Sequence, residues 1–131
     1  MIRLESYQVM PDSPQMQRDT LYIVASLLAH SEDPLAVETV RIARINSIVP
    51  VAVDGFQEYP GRGWGGLVTL PNESGPRAVL IGTHEFLKQC NLQTPALLDA
   101  TLQKWTKDGS RVVLVGWDGH VRSILKFGQL Q

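Results

Sequence analysis

The chain has 131 residues and a mass of 14.5 kDa, and 44% of its residues are hydrophobic and 19% charged. This length and composition fit one globular domain and exclude intrinsic disorder as its main state. The net charge is -1 at pH 7 and the basic residues are scattered, which argues against binding to nucleic acid or a membrane surface through bulk charge.

The apolar stretches and the cysteine content predict the surroundings of the chain. Residues 21–29 form the longest apolar stretch, which is too short to span a bilayer and does not follow the pattern of a signal peptide. The lone cysteine, Cys90, cannot form an internal disulfide. We therefore expect a reducing, cytoplasmic setting and no direct membrane contact.

The first part of the chain predicts one strand followed by two helices. Residues 2–10 alternate weakly and favour a strand. The apolar residues then recur with the spacing of a helix as far as about His30. Leu21, Val24, Ala25 and Leu28 form one apolar stripe along it. Asp33 followed by Pro34 is typical of an N-cap and the first helical residue, and it predicts a second helix that ends near Asn46.

The middle of the chain predicts a meander of three strands over residues 51–57, 64–70 and 77–81. A glycine-rich turn at residues 60–63 joins the first two strands, and an exposed turn at residues 71–76 joins the second to the third. Short connections of this kind favour antiparallel pairing.

The helices that follow are predicted from their ends. A short helix is expected over residues 83–89. Thr94 and Pro95 repeat the capping signal, and they predict a further helix that stops at Gly109.

A hairpin closes the chain, because the apolar run 111–117 is followed by a tight Asp-Gly turn and a partner strand over residues 120–127. Taken together, the elements predict an α+β fold, a mostly antiparallel sheet of about six strands with helices packed on one face. Trp105 and Trp117 are expected in its core.

Gly61 and Gly63 are the first candidates for a binding site. Glycines at a strand turn usually supply backbone conformations that other residues resist. They also let a ligand approach the main chain, whose amides can bind phosphate oxygens, with Arg62 as a charge partner. The pattern is neither a dinucleotide fingerprint nor a Walker loop, because a strand follows it and no Gly-Lys-Ser/Thr is present.

Metal binding and nucleophilic catalysis find no support in the sequence. His84 and Cys90 do not share a helix face and have no third ligand nearby, so no metal site is predicted. No nucleophile-elbow sequence accompanies the Ser, His and Asp residues, so no catalytic residue is predicted.

The order of several short segments carries a family resemblance. Residues 31–35 read Ser-Glu-Asp-Pro-Leu, residues 60–63 read Pro-Gly-Arg-Gly, and residues 81–82 read Ile-Gly before a helix and the closing hairpin. This series resembles the nucleotide-binding (N) domain of heavy-metal-transporting P-type ATPases, in which Ser-Glu-His-Pro-Leu, Gly-x-Gly and Ile-Gly-Asn segments occur in this order. The resemblance covers nearly the whole chain.

The resemblance implies which residues contact the nucleotide. Gly61 and Gly63 match the family's glycine pair beside the nucleotide phosphates, and Gly82 matches the glycine of its Ile-Gly-Asn segment. Asp33 and Thr83 stand where the family has its nucleotide-contacting histidine and its asparagine. Asp33 also has a purely structural interpretation as a helix cap.

Three further residues bear on the same site. The family's adenine-facing glutamate aligns with Leu28. Glu32 and His30 flank the helix junction, and they could supply an acceptor and an aromatic face in compensation, although His30 is also explained as an exposed helix-end residue. Trp64 would either stack on adenine or simply pack in the core.

The resemblance also implies a function. Residues 1–131 would be a single nucleotide-binding domain, an excised insert of a larger membrane pump, because neither Asp-Lys-Thr-Gly-Thr nor Cys-Pro-Cys occurs. The domain would hold Mg-ATP so that an aspartate on a separate domain is phosphorylated, the Mg²⁺ site lying mainly on that phosphorylation domain. ATP or ADP and the phosphorylation and actuator domains would be its partners, in the cytoplasmic part of a pump for a heavy metal such as copper. Alone, it would not turn over ATP. The alternative is a degenerate module with little nucleotide affinity and a regulatory or interaction role.

Overall fold

One six-stranded sheet organises the computed structural model, which describes residues 2–71 and 73–129. The strands are β1 (Ile2–Val9), β2 (Val53–Tyr59), β3 (Gly63–Val68), β4 (Arg77–Gly82), β5 (Arg111–Trp117) and β6 (His120–Gln129). They lie in the order β1-β6-β5-β4-β3-β2, and every neighbouring pair is antiparallel. The predicted antiparallel sheet and its closing hairpin are confirmed.

The helices begin at capping residues near the predicted positions. They are α1 (Pro14–Leu28), α2 (Pro34–Ile45), α3 (His84–Gln89) and α4 (Ala96–Lys107). Ser13, Asp33 and Thr83 cap the first three through their side chains. None of these helices, within residues 2–71 and 73–129, is long and apolar enough to cross a membrane.

The start of α4 differs from its prediction. Pro95 itself occupies the N-cap position, and no side chain makes a capping hydrogen bond there. Thr94 therefore lies one residue too early to act as the cap, and Pro95 ends the preceding turn instead of opening the helix. Of the two predicted pairs of cap and proline, Asp33 and Pro34 take these positions, at α2, and Ser13 and Pro14 take the same positions at α1 without having been predicted.

The helices cover both faces of the sheet, whereas the sequence interpretation placed them on one. Val113 and Val115 of β5 pack in one cluster with α1 and α2, and Leu114 between them packs in a second cluster with α3 and α4. Because successive side chains of a strand point to opposite faces, the two clusters lie on opposite sides of the sheet. The fold is thus three layers, helices on sheet on helices.

Two smaller corrections concern the sheet and its core. Strand β2 begins at Val53 because the backbone N–H of Val51 donates to the hydroxyl of Ser26, 2.8 Å away, and so does not join the ladder. Trp117 is buried as predicted, but Trp105 is only half-buried, with the Lys126 ammonium 5.8 Å from its ring.

Candidate functional site

A small pocket of about 150 Å³ lies where the β2–β3 turn meets the starts of α2 and α3. The predicted site residues that line it are Asp33, Gly61, Gly63, Trp64, Gly82 and Thr83. The volume is well below the roughly 300 Å³ at which pockets begin to enclose a drug-sized ligand. The pocket therefore has room for part of a nucleotide, with the rest outside.

The turn that forms one wall of the pocket depends on Gly61. Its φ is +74°, a left-handed conformation that a residue with a Cβ adopts only at a cost. The N–H of Arg62 donates to the carbonyl of Tyr59 over 2.8 Å, which closes the turn, and the carbonyl of Arg62 accepts from the N–H of Thr83 over 3.1 Å. The turn is thereby joined to the start of α3.

The inner wall of the pocket is bare main chain at Gly63 and Gly82, which are paired across β3 and β4. A Cβ on Gly63 would overlap the carbonyl oxygen of Ile81. A Cβ on Gly82 would overlap the carbonyl oxygen of Arg62 and lie 2.9 Å from Cδ2 of Phe86. Backbone packing alone therefore requires glycine at both positions, and both residues are buried although they line the pocket.

A hydrogen-bond network closes the pocket on the side of α2. The hydroxyl of Ser31 donates to Oε1 of Glu58 over 2.7 Å and accepts from Nε1 of Trp64 over 3.1 Å. Trp64 Nε1 also lies 3.1 Å from the same carboxylate oxygen. Ser31 is only 8% exposed and Trp64 is 5% exposed, whereas Glu58 is exposed, so the network joins the protein interior to the surface of the pocket.

Asp33 serves as the cap of α2, as its structural interpretation proposed. Its Oδ1 accepts from the N–H of Leu35 over 2.8 Å, and its own N–H donates to the hydroxyl of Ser31 over 3.2 Å. The side chain is half-buried and lines the pocket. Capping occupies one carboxylate oxygen, so the residue can still contact a ligand with the other.

Two arginines line the pocket with these carboxylates. The guanidinium of Arg62 lies 5.0 Å from the ring centre of Phe86 and donates to Gln89, which directs it towards α3. Arg111 begins β5 and is exposed at the rim. The pocket is therefore lined by two acidic residues, Asp33 and Glu58, and by two basic ones. The formal charges of these four side chains sum to zero.

Other predicted residues lie away from the pocket or are buried. His30 is exposed and its ring lies 5.2 Å from that of Phe56, while Glu32 is exposed, and neither lines the pocket. Trp64 is 5% exposed and packs in the core, so its ring offers little surface for stacking. Leu28 is fully buried and does not line the pocket, so the position that the resemblance assigns to an adenine-facing glutamate contributes no surface to this site.

The sequence interpretation missed Glu58 and Arg111 as pocket residues. Neither belongs to a motif. Glu58 reaches the site because it is the last residue but one of β2, beside the turn, and Arg111 because β5 pairs with β4 near Gly82. Within the described ranges, no group of three or more His, Cys, Asp or Glu residues could hold a metal ion.

Comparison with known proteins places this geometry in a class. No protein-family model matches the chain. The crystal structure of the N-domain of HMA6, a copper-transporting P-type ATPase, matches with a TM-score of 0.73 and 20% identity over 97% of this chain and 98% of that one. A zinc-transporting PIB-type ATPase in its E2.Pi state matches with a TM-score of 0.75 and 18% identity, over 98% of this chain and 19% of that one. The chain thus has the fold of the N-domain of heavy-metal-transporting P-type ATPases, and the predicted α+β class is confirmed.

The sequence carries the relationship further. The chain is 34% identical over 109 residues to the probable copper-transporting ATPase PacS of Synechococcus elongatus. That match covers 83% of this chain and 14% of the relative, so the chain spans about a seventh of the relative's length. Its resemblance to the N-domains of heavy-metal-transporting P-type ATPases is therefore confirmed in fold and in sequence.

Proposed function

We propose that this chain is the nucleotide-binding domain of a metal-transporting P-type ATPase and holds ATP at the pocket beside the β2–β3 turn. The observation that carries the proposal is the convergence of Gly61, Gly63 and Gly82 on one pocket in a chain with the N-domain fold. These residues come from three places in the sequence, and the resemblance alone assigned them to one nucleotide. The fold also matches a structure of the catalytic domain of the CPx-ATPase CopB-B, whose subject is conformational change upon nucleotide binding, with a TM-score of 0.62 and 15% identity over 97% of this chain and 37% of that one, and this match in fold supports the proposal.

The chain's own residues would act by binding and positioning. The space beside Gly61, where an added Cβ would meet nothing within 4 Å, allows phosphate oxygens to approach the main chain, and backbone N–H groups are effective donors to such anions. Arg111, exposed at the rim, would contribute positive charge. The nucleophilic aspartate and most Mg²⁺ ligands would come from a separate phosphorylation domain, because phosphoryl transfer depends chiefly on positioning and charge stabilisation.

The same proposal covers the parent protein. Residues 1–131 would be one domain inserted in a larger membrane pump that moves a heavy metal such as copper, and the chain would lie on its cytoplasmic side. The phosphorylation and actuator domains would be its partners. The sequence similarity to PacS, a probable copper-transporting ATPase, supports this assignment.

We expect weak binding of ATP. Leu28, Asp33 and Thr83 replace the residues that the family uses most specifically, and a lost hydrogen bond costs about 1 kcal/mol. Two or three such losses weaken binding by roughly tenfold to a hundredfold. The alternative function, a degenerate module with a regulatory role, is favoured by the complete burial of Leu28.

Amide chemical shifts under nucleotide titration test the proposal. Adding ATP or ADP to labelled protein should shift the amides of Gly61, Gly63 and Gly82. The variant Gly61→Ala should bind more weakly, because a methyl group would project where nothing lies within 4 Å and a ligand must approach. Gly109→Ala is the matched control, since Gly109 has the same open surroundings and a φ of +76° but lies after α4. No shift at millimolar nucleotide would favour the degenerate module.

A further inference from the structure

We infer that Arg62 is a positioning residue of the ATP site, which holds the β2–β3 turn against α3 and does not itself bind the phosphates. The inference rests on the proposed nucleotide binding and concerns what keeps the turn in place. Arg62 is exposed between Gly61 and Gly63, where its charge alone would favour a direct contact with phosphate. The contacts of its side chain favour the other role.

The guanidinium of Arg62 is engaged on the side of α3. It lies 5.0 Å from the ring centre of Phe86, and it donates a hydrogen bond to Oε1 of Gln89. Phe86 is only 4% exposed, so the ring under the guanidinium is fixed in the core. Neither Phe86 nor Gln89 lines the pocket. The positive charge is therefore held by partners that lie outside the site of the nucleotide.

The main chain of the turn is attached to the start of the same helix. The N–H of Thr83 donates to the carbonyl of Arg62 over 3.1 Å, and the hydroxyl of Thr83 accepts from the N–H of Phe86, also over 3.1 Å. The ring of Tyr59, where the turn begins, lies 5.0 Å from that of Phe86. A backbone hydrogen bond, an aromatic contact and a guanidinium thus join the turn to α3.

The turn needs such an attachment because Gly61 contributes no packing of its own. Nothing lies within 4 Å of an added Cβ at that residue, and glycine is the residue with the greatest backbone freedom. A turn that moves presents its amides to a phosphate for part of the time only, and the apparent affinity falls with the population of the competent state. Arg62 raises this population, because a planar guanidinium can stack on a ring and donate a hydrogen bond at once, whereas a lysine ammonium is a point charge.

Hydrogen exchange in the protein without nucleotide tests the attachment by itself. The amide of Thr83 is the readout, because it donates to the carbonyl of Arg62. We expect it to exchange about threefold to tenfold faster in Arg62→Lys and in Gln89→Ala, as the loss of one such contact predicts. Gln103→Ala is the matched control, since it removes an exposed helical glutamine that donates to Asp99 over 3.0 Å, and it should change nothing. Unchanged exchange in the first two variants would overturn the inference and leave the proposed function standing.

Titration with ATP, followed through the amide of Gly82, separates positioning from direct contact. Arg62→Lys should weaken binding about threefold to tenfold although it keeps the charge, and Gln89→Ala should weaken it by about threefold although it lies outside the pocket. The double variant should bind no more weakly than Arg62→Lys alone, because Gln89 acts through Arg62.

A phosphate contact by Arg62 gives the opposite pattern. Arg62→Lys would then keep most of the affinity, and Gln89→Ala would bind ATP as tightly as the parent or more tightly, because it releases the guanidinium. Either result would overturn the inference while ATP binding by the parent upholds the proposed function. If the parent chain binds no ATP, the proposed function fails and the role of Arg62 at a nucleotide site fails with it.

Discussion

The hydroxyl of Ser31 donates a hydrogen bond of 2.7 Å to Oε1 of Glu58 and so joins the start of α2 to the end of β2. Replacing it by Ser31→Ala removes this bond and the acceptor for two N–H groups, while the indole of Trp64 keeps its contact with Glu58. We expect the free energy of unfolding to fall by about 1–2 kcal/mol.

Urea unfolding followed by tryptophan fluorescence measures this loss. The control Ser74→Ala changes an exposed serine in the loop before β4 and should leave stability within about 0.5 kcal/mol of the parent. An equal effect of the two substitutions would contradict the role given to the Ser31 hydroxyl.

Gly82→Ala should destabilise the protein strongly. The added Cβ would overlap the carbonyl of Arg62 and contact Phe86, and overpacking of this kind costs about 1–3 kcal/mol or more. Gly75→Ala is the matched control, because nothing lies within 4 Å of its added Cβ, and it should be close to neutral. Thermal unfolding distinguishes them, and a normal melting temperature for Gly82→Ala would show that the β3–β4 contact relaxes easily.

Thr20→Val should leave stability unchanged or raise it by up to about 1 kcal/mol. The hydroxyl of Thr20 is buried and has no hydrogen-bond partner among residues 2–71 and 73–129, so its removal costs no bond and exchanges a polar group for an apolar one of similar shape. Thr39→Val is the control, since its buried hydroxyl donates to the carbonyl of Leu35 over 2.9 Å and its loss should cost about 1 kcal/mol. Denaturant midpoints measure both.

Glu38 makes stability depend on pH. The hydrogen bond from Arg41 lowers the pKa of its carboxyl, and the backbone N–H of Leu4 acts in the same direction, while burial opposes them. A lowered pKa stabilises the folded state fully above the unfolded value of about 4.3, and this contribution disappears as the pH falls through the folded pKa. Acid unfolding should therefore be shallower in Glu38→Gln, which should also lose about 1 kcal/mol at pH 7.

Glu73→Gln provides the comparison for Glu38. This substitution breaks the ion pair between Glu73 and Arg77. The side chain of Glu73 is 40% exposed, whereas that of Glu38 is 8% exposed. Exposed pairs contribute little, so its stability at pH 7 should change by less than about 1 kcal/mol and its acid unfolding should match the parent. Identical acid profiles for both variants would exclude Glu38 as the source.

The sequence predicted most elements because their boundaries are local. Asp33 and Pro34 predict the first residue of α2 correctly, because the cap and the proline both act within one helical turn. The distribution of helices over both faces was missed, although the signal was present. Val112, Val113, Leu114 and Val115 form a continuous apolar run, and a strand that is apolar on both sides requires cover on both sides.

The glycines of the candidate site could be predicted from the sequence, whereas the residues that reach it through the pairing of strands could not. Gly63 and Gly82 were singled out by motif, and the β3–β4 ladder places them opposite each other. Glu58 and Arg111 have no local signal, because their positions follow from the pairing of strands that are distant in sequence. Burial likewise decides that Trp64 packs in the core, which a residue type alone does not specify.

The pairing of β1 with β6 brings Ile2 opposite Gln129, so the first residue of β1 and the last residue of β6 lie side by side in one ladder. A surface loop of an unrelated carrier, such as a fluorescent protein, could therefore receive residues 2–129 at a single point without stretching the host.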